Sequence, residues 1–157
     1  MIASTTASHR SAAAPYEGAP EAALDALARL GVRDTYGKDE EIYGQAEPVE
    51  RIYCVVSGAV RTTRLMSDGR RQVGEFYFPG DVFGLETGPD HRFSAEALCD
   101  SVVLSARRTM LRETDAAETF DLMIRDATVR ELDRSQDHVL MLGRKTASER
   151  VASFLRG

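Results

Sequence analysis

The sequence is short of several residue types and patterns. It has no tryptophan, only two cysteines and three histidines among 157 residues. Cys54 and Cys99 form no Cys-x-x-Cys pair, which argues against a zinc ribbon and against an iron–sulfur cluster held by four thiolates. No apolar run approaches the roughly eighteen residues of a membrane span, so we expect none. The N-terminal segment lacks the apolar core of a signal peptide, and we expect a reduced, cytoplasmic setting.

The scarcity of histidine also limits the chemistry that this chain can perform. A β-barrel enzyme of the cupin type holds its metal with a His-x-His pair, a Glu and a further His, whereas His9, His91 and His138 are scattered. Neither a Gly-x-Ser-x-Gly elbow nor a phosphate-binding Gly-x-x-x-x-Gly-Lys loop is present. We therefore expect neither catalysis nor a bound metal. His91 in a loop and His138 on a helix are predicted to be surface residues rather than haem ligands.

The charge balance bears on nucleic-acid binding. The formal net charge is −5 and 43% of the residues are hydrophobic, as in an ordinary soluble acidic protein. Proteins that grip DNA usually present a basic face, because phosphate neutralisation supplies most of the affinity. The sequence therefore predicts that this part of the protein does not bind DNA by itself.

The first 31 residues divide into two segments. Residues 1–18 are rich in Ala, Ser, Thr and Pro without an apolar period, which predicts a disordered arm. From Pro20, the side chains of Leu24, Leu27 and Leu30 recur on one helical face, and Gly31 is suited to end the helix. This pattern predicts a short packing helix.

Residues 32–106 carry short runs of β-branched and aromatic residues separated by turn residues, which is typical of antiparallel strands. Residues 52–56 are a clear strand. Asp68 and Gly69 predict a tight hairpin turn, because both residue types accept the positive φ that such a turn needs. With the short helix, residues 19–112 are expected to form one mainly β domain with flanking helices.

A long helix is predicted over residues 113–142, which consist largely of good helix formers. Phe120, Met123 and Ala127 lie on a face expected to pack on the β domain. Spacings of four and three define a second face, which we interpret as a dimer seam between parallel helices. Packing of both faces within one chain is the alternative, disfavoured because such a helix is longer than a small β domain. The seam residues are Ile124, Thr128, Leu132, Ser135, Val139 and Leu142.

These segments together resemble the CRP/FNR family of bacterial transcription regulators. The similar stretches are IYGQA at 42–46, ERIYCVVSGAVR at 50–61, FPGDVFG at 78–84 and residues 131–155, and HRFSAEA at 91–97 is most similar to the FixK branch. The resemblance implies a cyclic-nucleotide-binding-like antiparallel β-roll (a double-stranded β-helix or jelly roll) followed by a long C-terminal dimerisation helix. Residues 143–157 resemble the junction to a helix-turn-helix domain, which we expect to be missing from this chain.

The resemblance raises the question of a cyclic nucleotide. Nucleotide-binding relatives use a Gly-Glu pair for the ribose and an Arg-Ser/Thr-Ala run for the cyclic phosphate. Here a leucine interrupts the first pair, and Phe93 separates Arg92 from Ser94. We therefore expect no cofactor, with Glu86 and Arg92 either solvated or paired with each other. In the alternative, a shifted register places Glu86 on the ribose and Arg92 and Ser94 on the phosphate, as in a cyclic-nucleotide-binding signalling module.

The resemblance also bears on redox sensing. The oxygen-sensing FNR relatives have a cysteine cluster in the N-terminal arm, and this arm has none, so we expect no iron–sulfur cluster. Cys54 is predicted to be a small residue of the core. Cys99 is expected to be more exposed, and a redox role for it stays open.

The resemblance also implies partners. They are a second copy of the chain, DNA bound through a C-terminal domain, and RNA polymerase at the hairpin of residues 67–71. Relatives whose dimerisation is gated by a signal can bear an acidic residue in the seam, where like charges meet across the two-fold axis. This chain has Ser135 there, so we predict a homodimer that forms without a ligand.

Overall fold

The computed structural model describes residues 19–144, with side chains described from 19 to 133. The predicted arm and the junction from residue 145 onward lie outside this range. The elements in chain order are α1 (Glu21–Leu30), β1 (Val32–Tyr36), β2 (Glu41–Tyr43), β3 (Arg51–Ser57), β4 (Val60–Leu65), β5 (Arg71–Tyr77), β6 (Val82–Phe83), β7 (Ser94–Ala97), β8 (Ser101–Arg107), α2 (Arg108–Leu111) and α3 (Ala117–Arg144).

The strands form two antiparallel sheets. One has the order β1-β8-β3-β6 and the other the order β2-β7-β4-β5. Their inner faces meet in one core cluster, to which Val55 and Val103 of the first sheet and Val60 and Ala95 of the second contribute. The predicted mainly β architecture with flanking helices is confirmed.

A second core cluster joins the helices to the first sheet. Leu27 of α1, Leu111 of α2 and Phe120 and Met123 of α3 are buried against Ile52 and its neighbours. Each such side chain contributes about 1.5–3 kcal/mol when fully buried. The sequence prediction that Phe120, Met123 and Ala127 pack against the β domain is confirmed. Among residues 19–144, no helix has both the length and the apolar character needed to cross a membrane.

Gly31 ends α1, as predicted, but not in the left-handed conformation that helix-terminal glycines often adopt. Its backbone is extended, with φ −81° and ψ 159°. A Cβ at this position would lie 2.4 Å from the carbonyl oxygen of Leu27. Glycine is therefore required here for close approach of the chain to the helix end.

The hairpin between β4 and β5 differs from the prediction. Gly69 has φ +90°, whereas Asp68 is absent from the positive-φ residues of the described chain. The N–H of Gly69 donates to the Met66 carbonyl at 2.9 Å, and the N–H of Met66 to the Arg70 carbonyl at 2.7 Å. This is the longer hairpin in which a turn is followed by one left-handed glycine. Asp68 instead accepts a hydrogen bond from the Arg70 backbone N–H at 3.0 Å.

The predicted long helix begins later than residue 113. A separate short helix, α2, precedes it, and α3 begins at Ala117. Between them the Thr114 hydroxyl donates to the Leu111 carbonyl at 2.7 Å and accepts the N–H of Ala116 at 3.2 Å. A threonine bonded in this way satisfies backbone groups at a helix boundary. The region of helical composition therefore forms two helices with a break at Thr114.

Candidate functional site

The candidate site is the loop of residues 84–93, called the sensor loop below, which connects β6 to β7. It begins at Gly84, where φ is +79° and a Cβ would lie 2.7 Å from Cδ1 of Tyr53. Leu85 follows as a buried apolar anchor. The Arg108 guanidinium of α2 donates to the Gly84 carbonyl. Burial lowers the pKa of Arg108, with a smaller contribution from Arg112. The entry to the loop is therefore fixed by packing and by a hydrogen bond.

Glu86 is the centre of the sensor loop. Its side chain is 12% exposed, and its Oε2 lies 2.6 Å from Nδ1 of His91. Its Oε1 accepts the backbone N–H of Arg92 at 2.7 Å and lies 3.5 Å from Nε of the same residue. Both carboxylate oxygens are thus engaged within the loop. Because an ionised carboxylate only accepts, the proton of this bond is assigned to His91 Nδ1.

The prediction that His91 is a surface residue is wrong. The residue is 3% exposed, and its ring stacks on Tyr43 with centroids 3.7 Å apart and planes at 14°. The loop folds back because its backbone pairs with the 44–47 turn: the N–H of His91 donates to the Glu47 carbonyl at 2.8 Å, and the N–H of Ala46 to the His91 carbonyl at 2.7 Å. These contacts join segments that are distant in the sequence, and no local sequence pattern predicts them.

Arg92 connects the sensor loop to the long helix. Its Nη2 donates to Oε1 of Glu131 on α3 at 2.7 Å, with both side chains partly exposed. An ion pair of this exposure contributes at most about 1 kcal/mol. The contact nevertheless defines which part of α3 faces the loop.

Ser94, the third predicted ligand contact, is bonded to a different segment from Glu86 and Arg92. Its hydroxyl oxygen accepts the backbone N–H of Gln45 at 2.8 Å. Phe93 packs against β5, where a Cβ on Gly74 would meet its ring at 2.8 Å, and the Arg64 guanidinium carbon lies 5.4 Å from its centroid. The structure therefore brings Glu86 and Arg92 together and bonds Ser94 to the backbone of another segment.

The interior of the roll beside the sensor loop is occupied by stacked rings. The ring of Phe83 lies 5.2 Å from those of both Tyr53 and Tyr77, and Tyr43 lies 5.2 Å from Tyr53. Burial raises the pKa of Tyr43 well above its usual range and that of Tyr53 to about 12. Both phenols are therefore neutral at physiological pH, and His91 completes the stack on its loop side.

The two cysteines differ as expected. Cys54 is buried and Cys99 is exposed. Burial, with a smaller effect of Asp81, raises the pKa of the Cys54 thiol to about 11, so this thiol is protonated at neutral pH and unreactive. Within the described residues, no group of three or more His, Cys, Asp or Glu side chains is arranged to hold a metal ion.

The described half of the predicted dimer seam shows three different environments. Ile124 packs in part against the helix–sheet core. The Thr128 hydroxyl donates to the Ile124 carbonyl at 2.9 Å, and Leu132 is exposed. Ser135, Val139 and Leu142 lie on α3, but their side chains are outside the described set.

Replacing Glu86 with glutamine is expected to lower the free energy of unfolding by about 1–3 kcal/mol. The amide keeps one acceptor oxygen for the Arg92 backbone N–H and turns its NH2 to His91 Nδ1, which must then change tautomer to accept, so the hydrogen bonds to a charged carboxylate are lost. Denaturant unfolding of both proteins at one concentration measures the difference. Asp90→Asn, an exposed carboxylate of the same loop, is the control and should change stability by less than about 0.5 kcal/mol. Equal effects of the two variants would contradict the structural importance of the Glu86 contacts.

Comparison with known proteins adds a family match. A family model described as cyclic nucleotide-binding domain matches residues 33–117. The nitrogen fixation regulation protein FixK of Azorhizobium caulinodans is 43% identical over 130 residues, which are 82% of this chain and 52% of that protein. The transcriptional activatory protein AadR of Rhodopseudomonas palustris is 35% identical over 130 residues, which are 82% of this chain and 54% of that protein.

Among solved structures, FixK2 from Bradyrhizobium japonicum superposes with a TM-score of 0.63 at 50% identity, covering 80% of this chain and 64% of that one. The chain spans about half the length of the curated relatives that it matches. The family model spans the β-roll and the sensor loop and ends at residue 117.

Proposed function

Because the chain belongs to the cyclic nucleotide-binding domain family and to the FixK branch of the CRP/FNR regulators, we propose that it is the effector and dimerisation part of a transcription regulator that dimerises without a ligand. Its relatives include a nitrogen fixation regulation protein and a transcriptional activatory protein. We infer a regulatory rather than a catalytic role in the cytoplasm, and DNA binding through a C-terminal helix-turn-helix domain outside this sequence.

The observation that carries the proposal is the state of the three candidate nucleotide contacts. Glu86 bonds His91 and the Arg92 backbone, the Arg92 guanidinium bonds Glu131, and Ser94 accepts from Gln45. A cyclic nucleotide bound by these groups would have to replace these bonds. The contacts that relatives direct at a ligand are here directed at the protein.

The free-energy cost of breaking these bonds favours dimerisation without a ligand. Leaving a buried hydrogen-bond donor such as His91 Nδ1 without its acceptor costs about 1–3 kcal/mol. Each 1.4 kcal/mol of such a cost weakens nucleotide binding about tenfold. Glu131 would also lose its partner on the sensor loop. Nucleotide affinity is therefore lowered by the bonds that hold the free loop together.

Calorimetric titration with cyclic AMP and cyclic GMP tests this proposal. We expect no saturable heat from either compound. The alternative function, a cyclic-nucleotide-binding signalling module, is favoured by the description of the matching family model. Saturable binding that is lost in Glu86→Ala would establish the alternative and place Glu86, Arg92 and Ser94 at a ligand.

The dimer that we propose is built on α3. This helix has 28 residues, a length of about 40 Å. Among its residues with described side chains, up to residue 133, the last one that packs on the core is Ala127. Glu131, one turn further along α3, bonds Arg92 of the sensor loop. Parallel pairing of two such helices would set the distance between two DNA-reading helices and match a palindromic site.

RNA polymerase contact through the hairpin at 67–71 is part of the same proposal.

A further inference from the structure

The turn of residues 44–47 joins the sensor loop to the end of β4. On the loop side its contacts are made by backbone groups. The N–H of Ala46 donates to the His91 carbonyl at 2.7 Å, and the N–H of His91 donates to the Glu47 carbonyl at 2.8 Å. Because both polar groups of the His91 backbone are bonded to the turn, the position of the turn sets the position of that residue.

Gln45 attaches the other side of the 44–47 turn to β4. Its Oε1 accepts the backbone N–H of Leu65 at 2.8 Å, and its Nε2 donates to the Leu65 carbonyl at 3.3 Å. Its own backbone N–H donates to Oγ of Ser94, directly after the sensor loop, at 2.8 Å. One amide side chain thus pairs with both backbone polar groups of Leu65, as a residue of a neighbouring antiparallel strand would.

The backbone of Ala46 is in an unfavourable conformation. Its φ is +76°, in the left-handed region that residues with a Cβ rarely adopt. Such a conformation persists only where the surrounding contacts fix it. Here His91 bonds the N–H of Ala46, and Leu65 bonds the side chain of the preceding residue. The shape of the 44–47 turn therefore depends on contacts at both of its sides.

We propose that Gln45 is a positioning residue of the sensor loop. By fixing the 44–47 turn on β4, it holds His91 where the imidazole stacks on Tyr43 and bonds Glu86. This inference rests on the proposed function, because it takes the self-bonded, ligand-free loop as given and adds the residue that keeps the loop in that state. Gln45 acts through the turn, since its side-chain amide is engaged by the backbone of β4.

The geometry of His91 makes the loop sensitive to the position of the turn. Its ring lies 3.7 Å from that of Tyr43, the residue directly before the turn, and its Nδ1 lies 2.6 Å from Oε2 of Glu86. Hydrogen bonds weaken steeply as their distance and angle depart from the optimum. Displacement of the turn would move the His91 backbone and lengthen the contact between Nδ1 and the carboxylate. Loss of the Gln45 amide should therefore be detected at the Nδ1 proton of His91.

Gln45→Ala is the test, with Gln72→Ala at an exposed position of β5 as the matched control. Nuclear magnetic resonance measures how fast the His91 Nδ1 proton exchanges with water, and backbone amide exchange in β3 and β8 reports the fold of the same samples. Gln45→Ala should raise the exchange rate of the His91 proton at least about tenfold, whereas Gln72→Ala should keep the native rate. Amides of β3 and β8 should exchange at native rates in both variants.

Gln45→Glu tests the chemistry of the contact. The carboxylate still accepts the N–H of Leu65 but cannot donate to its carbonyl. This variant should therefore give an exchange rate of the His91 proton between those of the native protein and Gln45→Ala. A rate as high as that of Gln45→Ala would overturn the pairing of the amide with both polar groups of Leu65.

The outcomes separate this inference from the proposed function. A native exchange rate in Gln45→Ala would overturn the role of Gln45 and leave the proposed function intact, because pairing of Thr63 with Ser94 and the contact of Arg64 with Phe93 would then suffice to hold the loop. Equal acceleration at His91 and in β3 and β8 would show general destabilisation and would also overturn positioning. A native protein whose His91 proton exchanges without protection would overturn both proposals.

Discussion

Phe83→Ala is expected to lower the free energy of unfolding by about 3–5 kcal/mol. The ring is 1% exposed and stacks on Tyr53 and Tyr77 in the interior of the roll. Its removal would leave a cavity between the two sheets, because the neighbouring rings are held by strands that cannot close on it. Denaturant unfolding at a fixed protein concentration measures the loss.

Phe76→Ala provides a control of identical chemistry. Phe76 lies on β5 and is 49% exposed, so its truncation should change stability by no more than about 1 kcal/mol. If the two variants lost equal stability, Phe83 would not be a member of the core. A cyclic nucleotide that restored the stability of Phe83→Ala would indicate that the ring occupies the place of a ligand.

The second large effect is expected from Ser135→Asp. If Ser135 lies in the seam, this change brings two carboxylates together across the two-fold axis at a partly buried interface. Uncompensated like charges at such a place should weaken the dimer by about 2–3 kcal/mol, or roughly a hundredfold in Kd. Sedimentation velocity over a concentration series gives the constant for the native and variant proteins.

Ser135→Asn separates charge from size, because asparagine is the neutral counterpart of aspartate. This variant should remain dimeric at concentrations where Ser135→Asp is monomeric. High salt should restore part of the association of the aspartate variant, since screening weakens the repulsion. An unchanged dimer in Ser135→Asp would remove Ser135 from the seam.

The elements were predictable where local pattern decides them. The period of Leu24 and Leu27 located α1, and the apolar face of Phe120 and Met123 located the buried side of α3. The hairpin at Gly69 was located correctly but assigned the wrong turn, because Asp and Gly suit both kinds of hairpin. The start of α3 was missed because Thr114 divides a continuous helical composition by hydrogen bonds that composition does not reveal.

The site was less predictable than the fold. Pairing of Glu86 with Arg92 was one of three possibilities from the sequence, beside solvation and contact with a nucleotide, and the structure pairs the two residues. The burial of His91 was not predicted, since it depends on the 44–47 turn and on the ring of Tyr43. Contacts of this kind join residues more than forty positions apart, and periodicity carries no information about them.

Sedimentation equilibrium of the ligand-free protein is the direct test of ligand-independent dimerisation. We expect a mass of twice 17.3 kDa at micromolar concentration, unchanged when cyclic AMP or cyclic GMP is added. A monomer that becomes a dimer only when one of these nucleotides is present would contradict it. That result would mean that the bonds of Glu86 and Arg92 describe an inactive state which the nucleotide opens.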